Sequence, residues 1–170
     1  SAGRSSAACP STFALPAVRY APGLAYVDGK LHAFGGADAS RHRATTDHWV
    51  LDTRAAGAAW TRLAPMPQAS DHHGVAVVGG KIYSLGGEDD HGRSYRQHAK
   101  LFVYDPATDR WSTKRDLPTP GSHFEGTVRV FNDQYILAIG GRANGGRSAE
   151  SREVRIYDTE TGKEFRQFPP

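Results

Sequence analysis

Cysteine is nearly missing from this chain. With Cys9 alone, no internal disulfide can form, so the fold must rest on packing and hydrogen bonds. Long hydrophobic runs are missing too. No stretch approaches the ~18 apolar residues of a membrane helix, and a membrane partner is not expected. Charge of one sign is scarce: 21 Lys and Arg against 18 Asp and Glu leave a formal net charge of +3. The basic residues are spread along the chain rather than massed, so a nucleic-acid partner is not expected either. There is no nucleophile elbow, phosphate-binding Walker loop, dinucleotide fingerprint or HExxH pair. Residues 1–12 are small and polar, without the basic-plus-apolar pattern of a signal peptide, and read as a flexible N-terminal segment. Cys9 within it reads as a free thiol. Secreted and cytoplasmic locations both fit.

Glycine (19) and proline (10) are plentiful instead, as in proteins of many short strands and tight turns. A length of 170 residues suits one domain with a core. Within that length, landmarks recur. Glycine pairs stand at Gly35-Gly36, Gly86-Gly87 and Gly140-Gly141, spaced 51 (86−35) and 54 (140−86) apart. From each second glycine a bulky aromatic follows after 24 residues: Trp60 (60−36), Trp111 (111−87) and Phe165 (165−141). Between them lie Leu51-Asp52, Tyr104-Asp105 and Tyr157-Asp158. Ahead of each pair sits turn chemistry, Asp28-Gly29, Gly79-Gly80 and Asn132-Asp133, residues that supply the positive φ of two-residue hairpin turns. Such fixed-period self-similarity marks a repeat architecture.

Each copy reads as four strands. In the second, His73 to Val78 is strand a, Lys81 to Leu85 strand b, Leu101 to Tyr104 strand c and Arg110 to Lys114 strand d. Strands a and b are nearly all apolar, as strands covered on both faces should be, and strand d is polar, as an outer edge should be. Residues 13–170 thus hold three repeats, at about 23–65, 74–117 and 126–168. The glycine pairs are expected to let the backbone approach the neighbouring repeat. Trp60, Trp111 and Phe165 are expected to pack between repeats. Asp52, Asp105 and Asp158 are expected to hydrogen-bond turn amides rather than to catalyse.

The double glycine, the Tyr-Asp pair and the late Trp, in that order in a unit of about fifty residues, resemble the kelch family. The resemblance implies an all-β fold of three four-stranded propeller blades. Because propellers close with four to eight blades, three are expected to form half of a six-bladed ring completed by a second chain, a head-to-tail homodimer, or else to be part of a longer chain. The family spans scaffolds, adaptor domains and enzymes such as sialic acid epimerases and copper-containing sugar oxidases, so the resemblance is specific for fold and unspecific for function.

In a kelch-like propeller the d-to-a and b-to-c connections emerge on one face, where the family usually binds. Here they carry Arg19, Tyr20, Asp71, His72, His123 and Phe124, with Arg41, Arg93 and Arg142. Such residues recognise carboxylates and sugars through forked or aromatic contacts. The expected function is a binding module for a polar, anionic ligand, a protein, peptide or carbohydrate. The alternative is a small enzyme acting on a sugar or similar metabolite, with Asp71, His123 and Glu125 as acid-base candidates. His72 and His73 are neighbours on an extended segment and should point to opposite sides. One of them with His123 and a loop histidine such as His91 could converge and hold zinc or copper. Without compact metal spacing, no metal or other cofactor is expected.

Overall fold

The computed structural model describes residues 13–89, 96–143 and 150–165. No α-helix occurs among them. The first blade consists of β1 (Gly23–Val27), β2 (Lys30–Phe34), β3 (His48–Asp52) and β4 (Thr61–Arg62). The second follows as β5 (Gly74–Val78), β6 (Lys81–Leu85), β7 (Leu101–Asp105) and β8 (Arg110–Thr113). A short β9 (Gly121–Ser122) precedes the third blade. That blade takes β10 (Val128–Phe131) and β11 (Tyr135–Ile139), then, after β12 (Arg142–Ala143), β13 (Val154–Asp158) and β14 (Glu164–Phe165). Each blade is a four-stranded antiparallel meander. β9 and β12 form a two-stranded ribbon that residue spacing did not foresee.

The turns behave as their chemistry dictates. Gly79 and Gly80 join β5 to β6 with φ of 54° and 71°, while Asn132 and Asp133 do the same in the third blade at 52° and 48°. The Asp52, Asp105 and Asp158 carboxylates accept from the backbone N–H of Arg54, Ala107 and Glu160 at 2.9–3.0 Å, the turn role read from sequence.

Two apolar seams hold the three blades together. Ala25, Val27 and Phe34 pack on Ile82, Phe102 and Tyr104 between the first and second. Leu85, Leu101 and Val103 pack on Phe124, Val128 and Ile136 between the second and third. Backbone bonds cross both seams at the glycine pairs: Gly36 N–H donates to the Ser70 carbonyl at 2.9 Å, and Gly87 N–H to that of Gly121 at 2.8 Å. A Cβ on Gly35 or Gly86 would lie 2.5 or 2.4 Å from those same carbonyl oxygens. The glycines are therefore the means of close approach between blades.

Trp111 fills the first seam against Phe34 and His48, and its indole N–H donates to the Ala64 carbonyl at 3.0 Å. Trp60 repeats that bond toward the Phe13 carbonyl at 3.3 Å, with the same separation of 47 residues. It is not held between two blades, because none of the described blades packs on that side of the first. For the same reason β1 alternates buried and exposed: Leu24 is 61% and Tyr26 59% exposed. Strand a of this blade is thus covered on one face only. On the far side of the third blade Ile139 and Val154 are likewise exposed.

Candidate functional site

The d-to-a and b-to-c connections run side by side at one end of the blades. Short antiparallel bridges join Tyr20 to Ala37, Asp71 to Glu88 and, in the β9–β12 ribbon, Ser122 to Arg142. One position further along the chain, Ala21, His72 and His123 stand at equal spacings of 51 residues (72−21, 123−72) with left-handed φ of 47°, 50° and 61°. Their backbones form a ladder from blade to blade. His72 N–H donates to the Ala21 carbonyl at 3.3 Å, and His123 N–H to the His72 carbonyl at 2.7 Å. Left-handed backbone is costly for residues with a Cβ, and the inter-blade bonds hold it in place.

This ladder brings the two histidine rings together. His72 and His123 stack in parallel, centroids 4.0 Å apart and planes 5° from coincidence. Tyr20 meets His72 edge-on at 5.3 Å, and the Arg41 guanidinium lies over the Tyr20 ring at 5.1 Å. Four planar groups from all three repeats so form one continuous line. His73, next in sequence, points the other way into the first seam, against Phe34 and 3.1 Å from the Ser84 hydroxyl.

Three carboxylates surround the stacked rings. His72 Nδ1 is hydrogen-bonded to Glu125. Glu88, with no exposed surface, accepts from the Ser122 hydroxyl at 2.7 Å and has a carboxylate oxygen 3.8 Å from His123 Nδ1. Ser122 Oγ also receives Gln97 Nε2 at 3.1 Å and lies 3.0 Å from His123 Nδ1. Since its one proton goes to Glu88, His123 must be the donor of that contact. Asp71 is fully buried behind them. Burial opposes the charged form of His72, but the hydrogen bond to Glu125 and the charges of Glu125, Asp71 and Glu88 prevail and raise its pKa. His123 is lowered, by burial first and then by the charge of His72. Glu125 is lowered: burial opposes this, and the bond to His72 outweighs it.

Several residues singled out by sequence take other places. Arg19 is ion-paired with Asp47 and lies over the Trp49 ring at 4.8 Å. Phe124 is buried in the second seam beneath Arg155, where it packs and does not reach the rim. Arg142 lends its backbone to the β9–β12 ribbon. Glu125 bonds His72 rather than His123, and Asp71, His123 and Glu125 do not form one mutually bonded set in the contacts described. Arg93 and His91 lie outside the described residues. Glu88 was missed, though the signal was present: it follows Gly87 as Ala37 follows Gly36 and Arg142 follows Gly141. On the same face a cleft of about 290 Å³ opens between Arg43 and Arg96, with Asp89. A larger one of about 520 Å³ lies at the opposite, turn-bearing end, beside Lys81, Tyr83 and Arg110.

A stack of four-stranded antiparallel blades with glycine-mediated approach and connecting loops gathered at one end defines a β-propeller unit of the kelch type. The comparisons agree: residues 4–170 match the KLHDC2/KLHL20/DRC7 kelch-repeats domain, and the chain belongs to the kelch-repeat family. It is similar to beta-scruin of Limulus polyphemus, 28% identical over 85% of this chain and 16% of that one. It also resembles the kelch-like protein terF of Aspergillus terreus, 44% identical over 49% of this chain and 18% of that one. Among solved structures, that of YjhT superposes with a TM-score of 0.74 at 18% identity, covering 89% of this chain and 52% of the other. The chain spans about a sixth to a third of the length of the first curated relatives it matches.

Proposed function

We propose that this domain is a protein-binding module whose loop face takes up an acidic, extended segment of a partner. The observation that carries the reading is the line Arg41–Tyr20–His72–His123, which crosses all three blades on one face. Guanidinium forks match carboxylates, and the faces of Tyr and His rings accept peptide planes. Tyr20 is 42% exposed, and the nearby Arg43 and Arg96 line a cleft of their own. The test is an array of acidic, neutral and basic decapeptides probed with the full chain. Acidic peptides are expected to be retained in preference, and Arg41→Ala and Tyr20→Ala are each expected to weaken that binding about tenfold, the scale of an interface anchor. Equal retention of basic peptides, or undiminished binding by both variants, refutes the reading. Preferential retention of an acidic oligosaccharide over the peptides would move the ligand to carbohydrate.

We further infer that the working unit is a closed ring made with a second copy of this chain. Leu24 and Tyr26 on the first blade and Ile139 and Val154 on the third are exposed, whereas Val75 and Val77, which hold the places of Leu24 and Tyr26 in the second blade, pack into a seam. Head-to-tail pairing would cover both open faces at once, each Å² of apolar surface stabilising by roughly 25 cal/mol. Light scattering is expected to give twice the chain mass of 18.4 kDa, and Leu24→Glu to give aggregated or unfolded protein. A stable, folded monomer overturns the dimer and points to blades elsewhere in a longer chain.

A further inference from the structure

We propose that His72, His123 and Glu88 form a site for one divalent transition-metal ion of the zinc class at the centre of the loop face. The reading of the loop face as a binding surface is not needed for it. One donor atom from each of the three residues lies within 4.8 Å of the others. Two imidazole nitrogens and a carboxylate oxygen form a donor set that suits zinc and its neighbours, and not calcium or magnesium, which prefer oxygen alone.

The surroundings are those a metal site requires. A ligating histidine is oriented by a partner on its other nitrogen, and both rings have one at Nδ1: Glu125 for His72 and the Ser122 hydroxyl for His123. When Nδ1 carries the proton, the basic lone pair resides on Nε2, the nitrogen each ring would turn to a metal. Glu88 now lies on the Nδ1 side of His123, at 3.8 Å, and would have to shift toward Nε2 on loading. Glu88 is steadied by the same hydroxyl. Asp71 and Glu125 add negative charge around the site, which favours a cation. The backbone bond from His123 N–H to the His72 carbonyl at 2.7 Å holds the two ligand-bearing segments together. In the first repeat the equivalent positions hold Ala21 and Ala37, so the donor set belongs to the second and third blades alone.

Bond lengths of about 2.0–2.1 Å in a tetrahedron bring donors to about 3.3 Å of one another, so loading draws the three groups inward. A metal lies in the plane of each ligating ring, and two parallel rings cannot share one. Binding must therefore tilt His72 and His123 out of their 5° stack. Three protein ligands leave a fourth position for water or for a donor from a bound partner.

The test uses the full chain, dialysed against a chelator and titrated with Zn2+ and with Co2+. One equivalent of Zn2+ is expected by calorimetry, and Co2+ is expected to develop visible ligand-field bands. His72→Ala with His123→Ala should abolish saturable binding, and Glu125→Gln, which alters only the orienting partner, should weaken it about 10–100-fold. Should the double variant fail to fold, Co2+ added to the unmodified chain decides by NMR: paramagnetic shifts centred on His72 and His123 support the site. Absence of saturable binding, undiminished binding by a folded double variant, or shifts centred on other histidines overturns it.

Discussion

Gly86→Ala is expected to cost about 3 kcal/mol or more and to lower the melting temperature by roughly 6–12 °C, at the 2–4 °C per kcal/mol usual for a domain of this size. Two costs add. Gly86 has φ of +58°, a conformation that charges any residue with a Cβ about 1 kcal/mol. The new methyl would also stand 2.4 Å from the Gly121 carbonyl oxygen and 2.9 Å from the Phe124 ring. Neither neighbour can yield cheaply. Gly121 carries the bond from Gly87 N–H across the second seam, and Phe124 is part of that seam's core. Gly79→Ala is the matched control, with φ of +54° but no atom within 4 Å of the added methyl. It should lose only the conformational part, about 1 kcal/mol. Thermal and urea unfolding of the two variants check this. Equal losses would mean that the glycine pair is chosen for backbone freedom alone and not for close approach between blades.

Acid is expected to loosen the first seam well before ordinary carboxylate titration. His32 and His48 are buried there, His32 Nδ1 lying 3.0 Å from His48 Nε2 and His48 Nδ1 3.2 Å from the Ala64 carbonyl. A carbonyl can only accept, so His48 donates from Nδ1 and receives at Nε2 the proton of His32 Nδ1. Both rings are neutral in this arrangement, and neither can take a second proton without leaving a charge in the seam. Burial foremost, then the charge of Lys30, lowers His32 from 6.5 to about 4, and burial, then His32, lowers His48 to about 4. The unfolded chain therefore binds more protons than the native one between these values. Stability is full above about pH 6.5 and falls as pH drops toward 4, below which this contribution levels off. The drop from 6.5 to about 4 amounts to about 3 kcal/mol from one ring alone. Urea midpoints measured from pH 7 to 4 should show that fall. In the double variant His32→Leu with His48→Leu, which removes both polar partners together, the slope should flatten. An unchanged slope would place the acid sensitivity elsewhere.

Repeat spacing determined the blades because each rests on local chemistry. Asp28-Gly29, Gly79-Gly80 and Asn132-Asp133 specify two-residue turns, the glycine pairs specify close approach, and short apolar runs bounded by turns specify the strands; all three act within a few residues of chain. The partition of His72 and His73 to opposite sides was legible for the same reason, since neighbouring residues of an extended segment diverge. That the loops share one face followed from the family resemblance and was met by the bridges at Tyr20, Asp71 and Ser122. Tertiary structure alone decided the side-chain partners. Arg19 turns to Asp47, 28 residues away, and Phe124 sinks into the second seam, because each environment is assembled by strands distant in sequence. Glu88 and Glu125 join the histidine pair for that reason too: 35 residues (123−88) separate Glu88 from His123, and 53 separate Glu125 from His72. The exposure of Leu24 and Tyr26 was likewise beyond the strand pattern, which marks a residue as apolar without saying whether a neighbouring blade is there to cover it.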